Sequence, residues 1–313
     1  MTPLALTSFT ATSAIGRGLD ATLASLHARR SGLRPCTFET VALDTCVGEV
    51  AAVDEVVLPR GLEEFECRNN RLAWLALTQD GFAAAVEQAA ERAGRDRLGV
   101  FFGTSTSGIL ETELAYRRRD PVSGALPADF RYRGAHNTYS VAAFAREALG
   151  LSGPAAVISS ACSSSAKVFA SAQRAIAAGV IDAALVGGVD SLCLTTLYGF
   201  HSLQLVARTP CRPFDVARDG ISIGEAAAFA LLERPDERTE ADSVLLLGTG
   251  ESSDAFHMSS PPPDGRGAGE AMRRALAAAA LSPADIGYIN FHGTGTRSND
   301  EAEARAVGSV LGP

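Results

Sequence analysis

The sequence predicts an α/β protein in which parallel sheets are covered by helices. Short apolar runs alternate with segments whose apolar residues recur at helical spacing, which is the pattern of repeated strand–helix–strand units. With 313 residues, of which 46% are hydrophobic, the chain has enough apolar material for one large α/β domain or for two packed halves.

The individual elements follow from the spacing of apolar residues and from the turn residues at their ends. Residues 1–70 read as short strands and loops. Helical spacing predicts one long helix over 72–93, which Gly94 ends. The strand at 98–102 runs into a small polar loop at 103–108, which lacks the spacing and the lysine of a phosphate-binding loop. Further strands are predicted at 155–158, 183–187, 226–232, 244–247 and 286–291, and further helices at 141–148 and 270–280.

The charged stretch 235–242 contains a proline and is the best candidate for a linker. It divides the chain into a first unit over 1–240 and a second over 241–313. Each unit contains strands and helices, so we expect both to be of the α/β class.

Composition argues against several classes of protein. The net charge is −8 and the sequence pI is near 5.2, so non-specific nucleic-acid binding is not expected. The six cysteines include no C-x-x-C pair, and no metal site is predicted. The N-terminus lacks the basic region of a secretory signal, and no apolar run approaches the ~18 residues of a membrane span. We therefore expect a reduced, cytoplasmic setting.

One cysteine, Cys162, lies where the apolar run 155–158 stops and a helical pattern begins. The small serines at 163–165 suit a helix start, so the thiol is expected at a strand-to-helix corner, against the positive end of the helix dipole. That environment lowers a thiol pKa, and the thiolate is the nucleophilic form. The pattern equally allows a buried structural cysteine, because free cysteines are among the most buried residues.

A second corner follows the apolar run 286–291, which ends at His292. Gly293 and Gly295 let the backbone approach a ligand closely, and carboxylates at 300–303 suit the start of the next helix. A lone histidine is more often a structural hydrogen-bonding residue. A cysteine and a histidine from two strand ends can nevertheless meet in space, as nucleophilic catalysis requires.

A local basic patch at 116–119 and 131–133 stands out in this acidic chain. It is either a solvated surface or a docking spot for an acidic partner. The three consecutive arginines at 117–119 are the candidates for that second role.

The chain resembles the β-ketoacyl-acyl-carrier-protein synthases, in particular the elongating condensing enzymes and their polyketide and aryl polyene relatives. Three long motifs carry the resemblance: S-A-C-S-S-S at 160–165, C-R-P-F-D-V-A-R-D-G at 211–220 and H-G-T-G-T-R-S-N-D at 292–300. Two shorter ones are G-A-H-N-T at 134–138 and S-D-A-F-H at 253–257. They run over nearly the whole chain in the family's order, and together they are highly specific.

The resemblance implies the thiolase fold, with two related α/β halves stacked in five layers. It makes 1–240 the N-terminal ketoacyl synthase half and 241–313 the start of the C-terminal half. It also implies a homodimer, or a heterodimer with a homologous synthase. The implied partner is an acyl-carrier protein, whose phosphopantetheine arm carries the substrates, and no cofactor of the enzyme's own is implied.

The implied activity is that of a 3-oxoacyl-[acyl-carrier-protein] synthase, an acyltransferase of fatty acid, polyketide or aryl polyene synthesis. Cys162 would take an acyl group from a carrier-protein thioester, and malonyl-carrier protein would then lose CO2 and attack the acyl-cysteine. His292 would donate its Nε2–H to the developing enolate, and the Cys162 N–H would contribute to an oxyanion hole. By the same resemblance, Asp300 and Glu303 support the site, Thr294 and Thr296 line the phosphopantetheine arm, and Phe200 flanks the acyl pocket.

The chain also departs from the family, whose catalytic set is Cys-His-His with a lysine and a Gly-rich segment after the first histidine. Nothing after His292 matches the second histidine, the lysine or the Gly-rich segment, and the other histidines lie upstream. We therefore expect the C-terminal half to be incomplete, because the chain stops at Pro313 within a helical pattern. Lys167 is a smaller departure, at a position where His or Asn is common.

Two other functions are weighed against this one. A non-catalytic partner subunit, similar to a chain-length factor, would shape the pocket of an active homologue, but such partners usually lack the nucleophile that this chain keeps at Cys162. A degradative thiolase has its nucleophile nearer the N-terminus, and its histidine and second cysteine lie in other motifs.

Overall fold

The fold is seen in a computed structural model that describes residues 2–312 apart from positions 238, 241, 258 and 259. Strands and helices alternate along most of the chain. The strands are β1 (Leu4–Ser13), β2 (Gly16–Arg17), β3 (Arg34–Pro35), β4 (Cys46–Gly48), β5 (Leu98–Gly103), β6 (Ala155–Ile158), β7 (Ala183–Asp190), β8 (Ile223–Gly224), β9 (Ala226–Glu233) and β10 (Leu245–Leu246). The helices are α1 (Leu19–His27), α2 (Arg68–Leu77), α3 (Phe82–Ala93), α4 (Ile109–Arg117), α5 (Ser140–Ala148), α6 (Ser164–Ala177), α7 (Leu194–Ser202), α8 (Arg266–Ala279) and α9 (Arg297–Leu311). Shorter helical turns cover Val53–Glu55, Glu63–Phe65, Tyr132–His136 and Pro283–Asp285.

One mixed sheet organises the described residues. Its strand order is β10-β1-β9-β7-β5-β6, with β2 paired to β1, and a smaller sheet has the order β3-β4-β8. β5 runs parallel to β6 and β7, but β9 runs antiparallel to both β7 and β1. The predicted parallel sheet is therefore confirmed for β5, β6 and β7, at one end of the large sheet, and for the short pair of β4 and β8. The chain reverses direction between β7 and β9, and apolar spacing does not report strand direction.

Helices cover both faces of β5. Val100 and Phe102 are fully buried in a core shared with α2, α3 and α5. Phe101 enters a second core, shared with α6, because successive side chains of a strand point to opposite faces. Since β5, β6 and β7 are parallel, their C-terminal ends meet at one edge of the sheet, and the loops that follow them lie together there.

The single helix predicted over 72–93 is wrong. The chain forms α2 and α3, separated by a turn in which Asp80 and Gly81 have φ values of 55° and 70°. The Asp80 carboxylate accepts hydrogen bonds from Thr10 Oγ1 at 2.7 Å and from the Leu19 N–H at 3.0 Å. The turn is thus fixed to β1 and α1.

The first 70 residues also differ from the prediction, because they contain α1 as well as strands and loops. Leu19, Leu23 and Leu26 recur at helical spacing, but Leu23 and Leu26 are exposed and the buried residue of this helix is Ser25. The elements predicted at 98–102, 141–148, 155–158, 183–187, 226–232 and 270–280 are confirmed in type, with bounds that differ by a few residues.

The second unit adds little to the sheet within the described residues. The strand predicted at 244–247 is reduced to β10, which pairs with β1, and α8 packs against α9. The strand predicted at 286–291 is wrong: no described segment pairs with it, and Tyr288 is 82% exposed. A strand needs a neighbour for its N–H and C=O groups, which an apolar run does not reveal.

The predicted linker 235–242 lies partly outside the described residues, at positions 238 and 241.

In the part of the chain that is described, no helix combines the length and the apolar character that a bilayer span requires.

Candidate active site

Cys162 lies in the turn between β6 and α6. Because β6 ends at Ile158 and α6 begins at Ser164, the predicted strand-to-helix corner is confirmed. Ala161 has a φ of 54°, in the left-handed region that residues with a Cβ rarely adopt. The Ser164 hydroxyl fixes this turn: it donates to Ala161 O at 2.6 Å and accepts from the Ser160 N–H at 2.9 Å. The Cys162 side chain is exposed, so the interpretation as a buried structural cysteine is wrong.

His292 opens the loop that leads into α9. Its backbone N–H donates to Glu303 Oε1 at 2.6 Å, and the Gly293 N–H donates to Glu303 Oε2 at 2.9 Å. Gly293 and Gly295 have φ values of 54° and 74°, a conformation that glycine adopts without steric cost. One carboxylate on α9 therefore fixes the backbone from which the imidazole projects.

Asp300 is 1% exposed and joins this loop to a second one. Its Oδ1 accepts from the Gly295 N–H at 3.2 Å, and its Oδ2 accepts from the Phe214 N–H at 2.8 Å. Arg218 Nε lies 3.4 Å from Asp300 Oδ2, so the buried carboxylate is both hydrogen-bonded and paired with a positive charge, as such groups require. This acid therefore connects two of the long sequence motifs.

Cys162 and His292 face one cavity and lie side by side. The hydrogen bond from His292 lowers the pKa of the Cys162 thiol, against an opposing effect of burial. The same hydrogen bond raises the pKa of His292, again against burial, and the charges of Cys162, Glu303 and Asp300 add to that rise. Each side chain thus favours the charged form of the other, a thiolate beside an imidazolium. The sequence pointed to the helix end as the cause of the lowered thiol pKa, and the structure adds the neighbouring histidine, which lowers this pKa strongly enough to outweigh burial.

Three other cysteines have pKa values shifted in the opposite direction. Burial raises the pKa of Cys67, Cys193 and Cys211. Cys211 also lines the cavity that holds Cys162. Cys162 is therefore a better candidate nucleophile than Cys211, because its lowered pKa favours the thiolate, which is the reactive form.

The cavity has a volume of about 610 Å³, which is in the range of small-molecule sites. Phe200, Thr294 and Thr296 line its wall, and the hydroxyls of the two threonines are 2.9 Å apart. The structure thus brings these three residues together with Cys162 and His292. Asp300 and Glu303 lie behind the wall, where they hold the loop that carries the histidine.

The sequence analysis did not identify Asp190, which also lines the cavity. Its Oδ1 accepts hydrogen bonds from the Ser105 N–H at 2.7 Å, the Thr106 N–H at 2.9 Å and Thr104 Oγ1 at 3.0 Å. This carboxylate organises the polar loop at 103–108, for which the sequence suggested no role. An acidic residue shortly after two glycines, at the end of an apolar strand, was the available signal.

Comparison with known proteins identifies relatives of this arrangement. The family model described as "Beta-ketoacyl synthase, N-terminal domain" matches residues 1–238, and the one described as "Beta-ketoacyl synthase, C-terminal domain" matches residues 244–313. Nodulation protein E of Rhizobium meliloti is 37% identical over 221 residues, which cover 69% of this chain and 54% of that protein. The 3-oxoacyl-[acyl-carrier-protein] synthase 2 of Mycobacterium leprae (strain TN) is 39% identical over 163 residues, which cover 49% of this chain and 39% of that protein. The chain spans about half the length of the curated relatives it matches.

A solved structure extends the similarity over the whole fold. One chain of the complex between a ketosynthase (ApeO) and its chain length factor (ApeC), from Xenorhabdus doucetiae, is 37% identical with a TM-score of 0.88. The match covers 99% of this chain and 76% of that chain. The predicted thiolase-like α/β fold is thereby confirmed.

Proposed function

The chain belongs to the β-ketoacyl synthase family, and from that premise we propose that it is a 3-oxoacyl-[acyl-carrier-protein] synthase. In this role it carries out the condensation step of fatty acid, polyketide or aryl polyene synthesis. The observation that carries the proposal is the pairing of the Cys162 thiol with the His292 imidazole at one cavity. A subunit that only shapes a pocket has no need of this pairing.

The first step transfers an acyl group to Cys162. The thiolate attacks the carbonyl carbon of the carrier-protein thioester, and the Cys162 N–H stabilises the negative charge that develops on the oxygen. The bond to the phosphopantetheine sulfur breaks, and this sulfur leaves with the proton of the His292 imidazolium. Acylation removes the thiolate that raised the pKa of His292, so the histidine is left neutral with one N–H to donate.

The second step forms the new carbon–carbon bond. Malonyl-carrier protein loses CO2, and the electron pair of the broken bond moves into an enolate whose oxygen accepts the N–H of His292. The carbanion carbon then attacks the acyl carbonyl on Cys162. The carbon–sulfur bond breaks, the thiolate is restored, and the 3-oxoacyl product leaves on the carrier protein. His292 then takes up one proton from solvent, which replaces the proton that left with the phosphopantetheine thiol.

The surrounding residues position these groups. Glu303 and Asp300 hold the loop that carries His292 through three backbone N–H groups, and Asp300 ties it to a second loop through the N–H of Phe214. Thr294 and Thr296 contact the phosphopantetheine arm from the same loop, and Phe200 contacts the acyl chain from the α7 side of the cavity. The substrates arrive on this arm, and the enzyme needs no cofactor of its own.

The proposed partners are an acyl-carrier protein and a second synthase chain. The relative from Xenorhabdus doucetiae was solved as a ketosynthase with its chain length factor, which supports a heterodimer beside the homodimer as an arrangement for this chain. In a heterodimer this chain is the catalytic subunit, because it keeps Cys162. The alternative is the non-catalytic partner, which the similarity to that complex also allows.

The test is to supply the purified protein with octanoyl- and malonyl-carrier protein. We expect 3-oxodecanoyl-carrier protein, with one CO2 released for each product molecule, measured by mass spectrometry and by trapping of labelled CO2. Loss of one oxyanion donor typically costs about 10²–10³ in rate, so His292→Ala should lose about that factor. His27→Ala, which replaces an exposed histidine at the end of α1, should not. Acylation of Cys162 without any CO2 release would contradict the condensing activity, and the absence of both would favour the partner-subunit alternative.

A further inference from the structure

Asp190 places a negative charge in the wall of the cavity that holds Cys162. The residue is half-buried and lines that cavity. Among the described lining residues it is the one carboxylate, and none of them is a lysine or an arginine. Asp190 also forms no ion pair with any described residue. An unpaired charge that is partly shielded from water acts strongly on other charged groups that come near it.

The protein holds this carboxylate through hydrogen-bond donors alone. Its Oδ1 accepts from the N–H groups of Ser105 and Thr106 at 2.7 and 2.9 Å, and from the hydroxyls of Thr104 and Thr106 at 3.0 and 2.9 Å. Its Oδ2 accepts from the Ser105 hydroxyl at 3.1 Å. An ionised carboxylate only accepts hydrogen bonds, so it matches all of these donors. None of the donors is charged, so the negative charge is held in place but not neutralised.

The charge of Asp190 reaches the proposed nucleophile. The hydrogen bond from His292 is the largest influence on the pKa of Cys162 and lowers it, whereas the negative charge of Asp190 acts in the opposite direction. Asp190 therefore makes the thiolate harder to form, which is unfavourable for nucleophilic attack. A group that works against the chemistry of its own site indicates a second role there.

We propose that Asp190 is a specificity-determining residue that excludes acyl chains bearing a carboxylate from the cavity. This inference rests on the proposed function, since the excluded group is the acyl chain that Cys162 would receive. Like charges repel over several ångströms inside a protein, so this discrimination needs no direct contact. An unpaired charge placed against the wrong ligand is a common source of specificity. The substrate class that the site admits is an uncharged acyl chain.

Malonyl-carrier protein also bears a carboxylate, but it enters at a different step. In the second step the malonyl group stays on the phosphopantetheine arm and its carboxylate leaves as CO2, which ends the repulsion. A chain attached to Cys162 would instead keep its carboxylate in the cavity beside Asp190. The exclusion therefore concerns the acyl group that Cys162 carries.

The test compares two pantetheine thioesters that differ in charge but hardly in shape. One carries suberoyl, whose chain ends in a carboxylate, and the other carries the terminal amide of the same chain. The adduct on Cys162 is measured by mass spectrometry at pH 7, with octanoyl-pantetheine as the reference for acylation. We expect the amide to react about tenfold faster than the carboxylate, as for two like charges about 10 Å apart in a protein.

Asp190→Asn should bring the ratio of the two rates close to one. Asparagine has the shape of aspartate, and the Ser105 hydroxyl can accept from the new amide instead of donating. The ratio is the readout because the loss of charge also lowers the thiol pKa, which speeds both reactions alike. Asp190→Ser, which also removes the charge, is the second variant if the first fails to fold.

Two control variants keep the charge of Asp190. Ser105→Ala removes the hydrogen bond to Oδ2 but not the carboxylate, so it should retain the preference for the amide. Asp20→Asn, which replaces an exposed aspartate on α1, should retain it as well. Together they separate the effect of charge from the effect of disturbing the loop.

The outcomes distinguish this inference from the proposed function. If octanoyl acylates Cys162 but the amide reacts no faster than the carboxylate, this inference alone is overturned. A preference for the amide that survives removal of the Asp190 charge would overturn it equally. Failure of octanoyl to acylate Cys162 would overturn the proposed function and this inference with it.

Discussion

The His292 imidazole lies beside the Cys162 thiol, and each of the two side chains is the largest cause of the pKa shift of the other. The thiol pKa is lowered and the imidazole pKa is raised, so both shifts favour a pair of thiolate and imidazolium. The two residues come from different units of the chain, so the reactive form of the cysteine depends on the packing of both.

Replacement of His292 with alanine should raise the pH at which Cys162 becomes reactive. The hydrogen bond and the charge of the imidazole hold the thiol pKa low, and burial alone would raise it. At pH 7 the variant should therefore react more slowly with iodoacetamide than the parent protein. The measurement is the alkylation rate of the Cys162 peptide against pH, by mass spectrometry.

His27→Ala is the matched control for this experiment, because His27 is exposed at the end of α1. Its pH profile should coincide with that of the parent protein. If the profile of His292→Ala coincided as well, the coupling between Cys162 and His292 would be contradicted.

Replacement of Glu303 with glutamine should lower the pKa of His292. The main cause of the raised pKa is the hydrogen bond to Cys162, and the negative charge of Glu303 adds to it. Glutamine keeps one acceptor for the backbone amides but removes the charge, so the imidazolium should lose its proton at a lower pH. An NMR titration of the His292 ring measures this change.

Glu301→Gln serves as the control on the same helix, because Glu301 pairs with Arg218 and Arg305. The titration of His292 should stay that of the parent protein in this variant. If the titration of His292 were unchanged in Glu303→Gln, the charge of Glu303 would have no effect on the pKa of His292. The carboxylate would then act only by holding the backbone of the loop.

Replacement of Asp300 with asparagine should destabilise the protein by about 3 kcal/mol, at the lower end of the cost of breaking a buried ion pair from one side. The carboxylate is 1% exposed, accepts two backbone N–H groups and pairs with Arg218. The free energy of unfolding in urea measures the loss. Glu301→Gln should change it by about 0.5 kcal/mol or less, because the Glu301 side chain itself is exposed. Equal losses in the two variants would contradict the role given to Asp300.

Reversal of charge at Arg117 and Arg119 should weaken binding of the acyl-carrier protein, by about tenfold at low salt. Both arginines are exposed at the end of α4, whereas Arg118 pairs with Asp129 at 3.0 Å. The affinity of the double Glu variant should also depend less on salt than that of the parent protein. Charge reversal at Arg17 and Arg29, two other exposed arginines, is the control. If charge reversal at Arg117 and Arg119 changed the affinity and its salt dependence no more than in the control pair, these arginines would have no role in binding the carrier protein.

The corner at Cys162 was predictable because its signal is local. A change from an apolar strand run to helical spacing, with small residues between, fixes where the strand ends and the helix begins. The cause of the lowered thiol pKa was not predictable in this way. It depends on His292, whose loop is placed by the contacts of Glu303 and Asp300, and sequence spacing does not report such contacts.

The wrong predictions have equally physical causes. The run 286–291 is apolar, but a strand also needs a partner, and pairing is a property of the whole sheet. The break between α2 and α3 had a signal, the Asp80-Gly81 dipeptide, but apolar spacing continued on both sides of it.

The most direct test of Cys162 as the acyl acceptor is the site of the adduct left by an octanoyl-carrier protein. We predict one octanoyl group on the Cys162 peptide, absent in Cys162→Ala and present in Cys211→Ala, which replaces the cavity thiol whose pKa is raised by burial. An octanoyl adduct that persists in Cys162→Ala would contradict the assignment of the nucleophile, and with it the proposed activity.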